Sequence, residues 1–186
     1  MDEIVKAALK KWPSVPHCYG WLALDARGDW YMRDDRIQHA GPFPQVKGSR
    51  ITHDKLKAFI ERNYEADASG RWFFQNGPQR VYVQLEAAPW VWRLQWPDDN
   101  GAADAGSSPT VTSHTGRPAV VHSSWLDDEG RLYLATDIGL GIVHSQDMLD
   151  AARAVESGRW LPQPLRAAEA PRQFGFVRQP LADPAA

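Results

Sequence analysis

Three copies of one short pattern constrain the fold of this 186-residue chain more than any other feature. The pattern is Asp-x-x-Gly-x-(Trp/Leu)-(Tyr/Phe), and its copies run from Asp25 to Tyr31, from Asp67 to Phe73 and from Asp127 to Tyr133. The glycine permits the positive φ that a tight hairpin turn needs, and the paired apolar residues after it suit a strand. Each copy therefore predicts an antiparallel hairpin.

Helices are indicated where apolar residues recur at helical spacing. One such pattern runs from Ile4 to Trp12 and predicts a short amphipathic helix that ends before Pro13. Two more patterns follow Thr52 and Ser145, and each of these hydroxyl side chains is predicted to cap the helix that it precedes. Three short helices are therefore expected.

The segment from Trp72 to Trp96 is rich in strand-forming residues. Asn76-Gly77 marks a tight turn inside it, and Pro89 separates two runs of β-branched and aromatic residues. Together with the hairpins and the short helices, this segment predicts an α+β fold, built from antiparallel hairpins and small sheets with a few packed helices.

Two of the hairpins are followed by a predicted helix in the same order. Trp30-Tyr31 is followed by Thr52-x-x-x-Leu56, and Leu132-Tyr133 is followed by an apolar strand and then Ser145-x-x-x-Leu149. This self-similarity favours a duplicated hairpin-helix unit. The alternative is that Asp-x-x-Gly is a common solution for a hairpin and recurs here without shared ancestry.

Composition along the chain predicts four parts. Residues 1–96 form an N-terminal α+β domain, and residues 97–118, rich in Asp, Gly, Ser, Thr and Pro, form a linker or long loop. Thr110 to Thr112 can make a brief strand within that linker. Residues 119–165 form a smaller C-terminal α+β unit, and the Pro- and Ala-rich residues 166–186 form a poorly packed tail.

Composition also narrows the class of protein. The net charge is −2 and the pI is about 6.3, so no overall positive field attracts nucleic acid, and no nucleic-acid partner is expected. Cys18 cannot form an internal disulfide, which fits a reducing compartment. The chain begins without the basic and apolar segments of a secretion signal, and no run approaches the roughly 20 apolar residues that cross a bilayer. A cytoplasmic protein without a membrane partner is expected.

The order of these patterns is similar to that of a known bacterial family. The residues that carry the similarity are Asp25-x-x-Gly28-x-Trp30-Tyr31, a helix with Leu56 and Phe59, Gly70-x-Trp72-Phe73, and Val81-x-Val83-x-x-Glu86-x-Ala88-Pro89-Trp90. This order resembles the domain-of-unknown-function family twelve eighty-five (DUF1285), over 21–92 and more faintly over 125–152. The resemblance implies two small α+β domains with repeated strand–helix–strand–strand motifs and a signalling role suggested by fold analogy. It implies no catalytic residues.

Residue spacing gives no support for a metal or cofactor site. The six His and one Cys contain no pair of His four residues apart and no Cys-x-x-Cys, so no metal site is predicted. Gly139-Leu140-Gly141 comes nearest to a phosphate-binding loop, but it lacks the third glycine and any Gly-Lys-(Ser/Thr). A turn between strands explains these glycines, and no cofactor is expected.

A binding or regulatory module is the first functional hypothesis, because nine Trp accompany no catalytic constellation. Alternate residues of a strand point to opposite faces, so half of the aromatic residues near Asn76-Gly77 either line an exposed surface or pack under helices in a two-sided buried sheet. Arginines among them can stack on rings or bind an anion. The residues predicted to bind a partner protein or small ligand are Arg71, Trp72, Phe74, Asn76, Arg80, Tyr82, Trp90 and Trp92.

An enzyme of unrecognised type is the alternative, with Cys18 and His17 as its candidate nucleophile and base. A reactive cysteine needs a nearby cation or helix N-terminus that lowers its pKa, whereas Cys18 follows Pro16-His17 in a loop. A partly buried, inert cysteine is the simpler interpretation, so no catalytic residue is assigned.

Overall fold

The computed structural model describes residues 1–97 and 107–182, which form two compact units. The first unit comprises Met1–Ala87 with Gly175–Ala186, and the second comprises Ala88–Phe174. Each unit contains one mixed sheet and short helices, so the predicted α+β fold is confirmed. Within the described residues, no helix is both long and apolar enough to cross a membrane.

The first unit contains one six-stranded sheet. Its helices are α1 (Glu3–Lys11), α2 (Asp35–Ala40) and α3 (Asp54–Arg62), and its strands are β1 (Cys18–Leu24), β2 (Trp30–Met32), β3 (Ser49–Arg50), β4 (Tyr64–Ala66), β5 (Trp72–Asn76) and β6 (Gln79–Leu85). The strand order is β3-β2-β1-β6-β5-β4. Neighbouring strands are antiparallel except β1 and β6, which are parallel and join two meanders.

The two faces of this sheet differ in what covers them. On one face, Phe59 of α3 meets Phe74 edge-on with ring centroids 5.3 Å apart, and Tyr64 lies 4.7 Å from Trp72. Strand alternation sends the next residues to the other face, where Phe73 is opposite Tyr82. The aromatic residues of β5 and β6 are therefore divided between a face under a helix and a second face.

The second unit contains a seven-stranded sheet. Its strands are β7 (Trp90–Gln95), β8 (Thr110–Ser113), β9 (Pro118–Ala119), β10 (Val121–Asp127), β11 (Leu132–Thr136), β12 (Gly139–Val143) and β13 (Gln163–Leu165), and its helices are α4 (Met148–Glu156) and α5 (Ala170–Phe174). The strand order is β13-β10-β11-β12-β7-β8-β9. β12 pairs with β7 and β10 pairs with β13 in parallel, and the other pairs are antiparallel.

This second sheet curls back on itself. β9 is one end of the strand order and β10 is near the other end, yet only Val120 separates them along the chain. Because consecutive Cα atoms are about 3.8 Å apart, Ala119 and Val121 lie within about 7.6 Å of each other, so the β9 end of the sheet comes next to β10. The sheet is therefore curved like a partly closed barrel. One continuous stretch of chain pairs first with β8, as β9, and then with β11, as β10.

Two tryptophans of β7 fill the interior of this unit. Trp90 and Trp92 are 1% and 0% exposed and lie with ring centroids 6.2 Å apart. Their indole N–H groups donate to the carbonyl oxygens of Ile138 (2.7 Å) and Leu134 (3.0 Å). Gly141 of β12, opposite Trp90 in the ladder, leaves the space that the rings occupy.

The two units share an order of elements. In the first, the meander β1-β2-β3 is followed by α3 and later by β6, which runs parallel to β1. In the second, the meander β10-β11-β12 is followed by α4 and then by β13, which runs parallel to β10. This shared order is the one expected of a duplicated hairpin-helix unit. Common ancestry of the two units stays a prediction.

Neither of the two hydroxyl side chains predicted to cap a helix does so. His53, not Thr52, caps α3, because its ring Nδ1 accepts the N–H of Leu56 at 3.3 Å. His144 accepts the N–H of Gln146 at 3.1 Å, so Ser145 lies inside a single 3-10 turn that precedes α4. An imidazole nitrogen serves as a cap acceptor here in place of the expected hydroxyl. The helix predicted from Ile4 to Trp12 is confirmed as α1.

The unit boundaries differ from the predicted domains 1–96, 97–118, 119–165 and 166–186. Residues 90–95, expected at the end of the first domain, form β7 in the middle of the second sheet. Of the predicted linker, residues 98–106 lie outside the described residues, and the brief strand expected from Thr110 to Thr112 is present as β8. Ala170 of the second unit and Phe176 of the first, both in the expected tail, are buried. Residues 183–186 of that tail lie outside the described part of the chain.

Candidate functional site

The aspartates of the repeated pattern hold the hairpin turns. Asp127 Oδ1 accepts the N–H groups of Glu129 (3.0 Å) and Arg131 (2.8 Å), and Oδ2 accepts Arg131 Nε at 2.7 Å. Asp67 repeats this arrangement with the N–H groups two and four residues on and with Arg71 Nε at 2.8 Å. The carboxylates are therefore occupied by turn contacts, and the repeated pattern itself needs no further chemistry.

A fourth turn of the same form closes the hairpin between β8 and β9. The Ser113 N–H donates to the Arg117 carbonyl oxygen, and the Arg117 N–H donates to Ser113 Oγ at 3.1 Å. The N–H of Gly116 donates to the Ser113 carbonyl at 2.8 Å, as the turn glycine does in the other copies. The sequence pattern missed this turn because serine replaces aspartate, although Ser-x-x-Gly-Arg is visible at 113–117.

The first copy uses a distant lysine where the other two use an arginine of the turn. Position 29 is aspartate, and Lys47 Nζ instead lies 3.0 Å from Asp25 Oδ2 and 3.0 Å from Glu86 Oε2. The Tyr31 hydroxyl donates to the same Asp25 oxygen at 3.1 Å. The Asp25 charge is therefore neutralised through tertiary contacts, which fix the loop that carries Lys47 over the sheet.

Buried Arg33 anchors the start of that loop. Its guanidinium donates to Gln84 Oε1 at 2.6 Å and to the Gly41 carbonyl at 2.7 Å, and it lies over the Phe43 ring. Burial lowers the pKa of Arg33. Sequence reasoning missed this residue, since nothing in its neighbourhood distinguishes a buried arginine from an exposed one.

Acid is expected to destabilise the fold through these turns. Burial alone would raise the pKa values of Asp25, Asp67 and Asp127, but N–H donors of their turns together with Lys47, Arg71 and Arg131 hold each pKa below its usual range. A carboxylate with a lowered folded pKa stabilises fully above the unfolded value of about 3.9, and this contribution is lost as the pH falls through the folded value. We expect the free energy of unfolding in urea to be level near neutral pH and to fall below about pH 5.

The control for this acid dependence is Asp127→Asn, which keeps an acceptor oxygen and removes one titrating group. Its stability is expected to fall less steeply with acid than that of the natural chain. Equal unfolding free energies at pH 7 and pH 3 in the natural chain would contradict the assignment of the turn aspartates as stabilising charges.

The second face of the first sheet carries a cluster that combines rings with arginines. We call it the aromatic–arginine surface, and its members are His17, Tyr19, Arg71, Phe73, Arg80 and Tyr82. Tyr82, 1% exposed, lies at its centre and donates its hydroxyl to Asp67 Oδ2 at 3.1 Å. The hairpin turn of the second copy thus fixes the ring on which the cluster is built.

Rings and guanidinium groups surround Tyr82 on several sides. Tyr19 stacks on it with centroids 4.7 Å apart and an angle of 10°, and His17 meets it edge-on at 5.7 Å. The Arg71 guanidinium lies 5.1 Å from the Tyr82 centroid, and that of Arg80 lies 4.5 Å from the centroid of Phe73. Cation–π contacts of this kind hold an arginine in place without neutralising its charge.

The charge state of His17 reports the local field. Partial burial lowers the pKa of His17, and the positive charges of Arg80 and Arg71 lower it further, against a smaller opposite effect of Asp67. The imidazole is therefore neutral at neutral pH. Arg80 makes no ion pair with any residue that the structure describes, so its charge is available at this surface.

The structure brings together some of the predicted binding residues and separates others. Arg71, Arg80 and Tyr82 meet on one face, together with His17. Trp72 and Phe74 lie on the opposite face of the same sheet, toward α3, and Asn76 is exposed at the turn. Trp90 and Trp92 are buried in the second sheet. Tyr19 was missed, because its only sequence signal is an aromatic residue two positions after His17.

Cys18 and His17, the candidates for catalysis, stand in an environment that does not activate a thiol. Burial and the nearby charge of Asp35 raise the pKa of the half-buried Cys18, which reduces the fraction of reactive thiolate. The His17 ring is engaged with Tyr82. Over residues 1–97 and 107–182, no group of three or more His, Cys, Asp or Glu side chains is placed to hold a metal ion.

Comparisons with known proteins identify the family. None of the curated proteins matches the chain. Two crystal structures are similar: a DUF1285 family protein from Silicibacter pomeroyi DSS-3 (13% identity, TM-score 0.49, covering 70% of this chain and 67% of that one) and a DUF1285 family protein from Shewanella baltica OS155 (17% identity, TM-score 0.45, covering 72% and 91%). The family model below supports the resemblance to uncharacterised domain-of-unknown-function proteins that the sequence predicts. Residues 1–181 match the DUF2944 family model, described as "Protein of unknown function (DUF2946)", and the chain belongs to this family.

Proposed function

We propose that the chain is a non-catalytic binding module that uses the aromatic–arginine surface to hold an anionic group of a partner protein or small ligand. The observation that carries this proposal is Arg80, which lies over Phe73 beside Tyr82 and has no acidic partner among the described residues. A guanidinium that is positioned by a ring and left without a carboxylate suits an incoming phosphate or carboxylate.

The neighbours of Arg80 favour a ligand with a planar part as well as a charge. His17 and Tyr19 flank the buried Tyr82 ring and are themselves exposed and half-exposed, so their outer faces are accessible. Stacking on such rings contributes contact area with little loss of side-chain freedom. We further propose that this module has a regulatory or signalling role. Its single cysteine, Cys18, cannot form an internal disulfide and fits a location in the cytoplasm.

The test is isothermal titration with phenyl phosphate, nucleoside monophosphates and citrate as probes. We expect at least one phosphorylated aromatic probe to bind, and Arg80→Ala to weaken it roughly tenfold, the size expected for loss of one charge-assisted contact. Arg27→Ala is the matched control, because Arg27 is an exposed hairpin arginine outside the surface. Failure of every probe to bind, or equal affinity in both variants, would rule out this surface as the binding site.

An enzyme that uses Cys18 and His17 is the alternative, and it predicts a thiol with a depressed pKa. Iodoacetamide labelling of Cys18 across pH distinguishes the two proposals. We expect Cys18 to be labelled only at a pH higher than the one at which an ordinary thiol is labelled, since burial raises the pKa of Cys18. Rapid labelling near neutral pH would favour the enzyme.

A further inference from the structure

The parallel pairing of β1 with β6 places His17 beside Arg80. In this ladder Cys18 pairs with Val81. One residue earlier on the two segments are His17 and Arg80, and neighbouring strands keep a spacing of about 4.8 Å. The segment before β1 is also tied to β6, because Gln79 Nε2 donates at 2.9 Å to the carbonyl oxygen of the residue before His17. An imidazole and a guanidinium are therefore held next to each other on the aromatic–arginine surface.

Titratable or charged side chains adjoin His17 from its own strand, from β6 and from the turn that precedes β5. They are Cys18, Tyr19, Asp67, Arg71, Arg80 and Tyr82. Asp67 and Arg71 pair with each other at 2.8 Å, so their charges largely cancel. Cys18 stays a neutral thiol, because burial raises its pKa. Among the residues that the structure describes, the Arg80 charge is therefore the one that His17 meets without a counter-charge.

An anion bound at Arg80 would reverse the field that acts on His17. Without an anion, partial burial and the positive charges of Arg80 and Arg71 lower the pKa of His17, so the exposed imidazole is neutral near neutral pH. A bound anion adds negative charge beside the imidazole, which favours its protonated form, and the new N–H can donate to the anion. Binding of the anion and of the proton therefore strengthen each other by the same factor.

The number of charges at this surface indicates the class of anion. With a neutral His17, Arg80 offers one free positive charge, which matches a carboxylate or a phosphodiester. With a protonated His17 the surface offers two, which match the charge of a phosphate monoester. His17 meets Tyr82 edge-on at 5.7 Å, and Arg80 lies 4.5 Å from the Phe73 centroid, so a planar group attached to the phosphate finds rings on which to pack.

We propose that His17 is a second cationic contact of the aromatic–arginine surface, and that it takes up one proton from solvent when a phosphate monoester on a planar group binds at Arg80. This inference rests on the proposed function, because it requires an anion at Arg80. The surface then prefers a phosphate monoester to a carboxylate, a sulfate ester or a phosphodiester of the same shape.

The sign of the pH dependence follows from this coupling. The pKa of His17 is higher in the complex than in the free protein. Affinity for a dianion is therefore level above the pKa of the complex, rises as the pH falls from there to the pKa of free His17, and is level again below it.

Isothermal titration with benzene-1,3-disulfonate and benzenesulfonate measures the proton uptake. These probes carry two charges and one charge that do not titrate, whereas a phosphate monoester itself titrates near pH 6. Each is titrated near neutral pH in Bis-Tris and in Tris, and the difference in heat between the two buffers counts the protons taken up. We expect uptake with the disulfonate and almost none with the monosulfonate. We expect the affinity for the disulfonate to be roughly three- to tenfold higher at about pH 6 than at about pH 8.

His17→Gln keeps a polar side chain at this exposed position but cannot titrate. We expect it to remove the proton uptake and the pH dependence, and to leave the affinity at alkaline pH almost unchanged. His122→Gln is the matched control, because His122 is an exposed histidine of the second unit, and it should change neither. Arg80→Ala is expected to weaken the binding of both sulfonates.

The outcomes separate this inference from the proposed function. Disulfonate that binds through Arg80 without proton uptake, or whose pH dependence persists in His17→Gln, would overturn the role of His17 and leave the surface as the binding site. Disulfonate and phenyl phosphate that both fail to bind would overturn the two proposals together.

A phosphotyrosine peptide and a nucleoside monophosphate distinguish the two sources of a phosphate monoester on a planar group. Tighter binding of the peptide would support a segment of a partner protein, and tighter binding of the nucleotide would support a small ligand. If neither binds more tightly than benzenesulfonate, the preference for a phosphate monoester is wrong.

Discussion

Gly141→Ala is expected to destabilise the second unit by about 3 kcal/mol, the upper part of the usual range for overpacking a core. A methyl group at this position would lie 2.4 Å from Trp92 Nε1, 2.5 Å from Trp92 Cε2 and 2.7 Å from Trp90 Cβ. Both tryptophans are buried and hydrogen-bonded to carbonyl oxygens, so neither ring can move aside without losing contacts. Urea denaturation followed by tryptophan fluorescence measures the effect.

Gly158→Ala is the matched control for this substitution. Gly158 has a φ of +72° with nothing near its missing side chain, so an added methyl group strains the backbone but clashes with nothing. We expect it to cost about 1 kcal/mol. Trp92→Phe should partly relieve Gly141→Ala in a double-mutant cycle, because it removes two of the clashing atoms. Strictly additive effects would contradict direct contact between the glycine and the ring.

Asp127→Ala is expected to destabilise the protein by about 2–4 kcal/mol, which combines the loss of charge-assisted hydrogen bonds with the cost of leaving buried donors without an acceptor. The Asp127 side chain is 0% exposed, and its carboxylate holds the N–H groups of Glu129 and Arg131 as well as the Arg131 guanidinium. Asp127→Asn keeps an acceptor for the turn but loses the charge, so we expect about half of this cost.

Glu129→Ala, in the same turn, removes the ion pair between Glu129 and Arg131 and keeps the hydrogen bonds that Asp127 accepts. Glu129 lies 2.9 Å from Arg131 Nη1, but its side chain is 61% exposed, and exposed ion pairs contribute less than about 1 kcal/mol. We expect the free energy of unfolding of this variant to equal that of the natural chain within the error of the measurement. Equal losses for Asp127→Ala and Glu129→Ala would show that the turn hydrogen bonds contribute nothing.

The hairpins, the first helix and the α+β class could be predicted from the sequence because local rules determine them. In the three copies Asp25–Tyr31, Asp67–Phe73 and Asp127–Tyr133, the aspartate and the glycine three positions later form the same turn with nearly the same hydrogen bonds. The sheet that each strand joins is a tertiary property. The run that begins at Trp90 follows the first unit along the chain, yet it pairs with β12 and β8, which lie after it.

The aromatic–arginine surface was only partly predictable for the same reason. Arg71, Arg80 and Tyr82 are close in sequence, and the alternation of β5 and β6 determines which of their neighbours share a face. Tyr19 joins them because β1 is parallel to β6, a pairing between strands far apart along the chain. Trp90 and Trp92 resemble the other aromatic residues in pattern, and only the strand order shows that they fill a different core.

The most direct test of the proposed binding surface is a ¹H–¹⁵N correlation spectrum of the labelled chain, recorded during titration with phenyl phosphate. We expect concentration-dependent shifts at the backbone amides of His17, Tyr19, Arg71, Arg80 and Tyr82, and their loss in Arg80→Ala but not in Arg27→Ala. Shifts confined to residues 118–124 of the second unit, or no saturable shifts at all, would contradict the assignment of this surface as the anion-binding site.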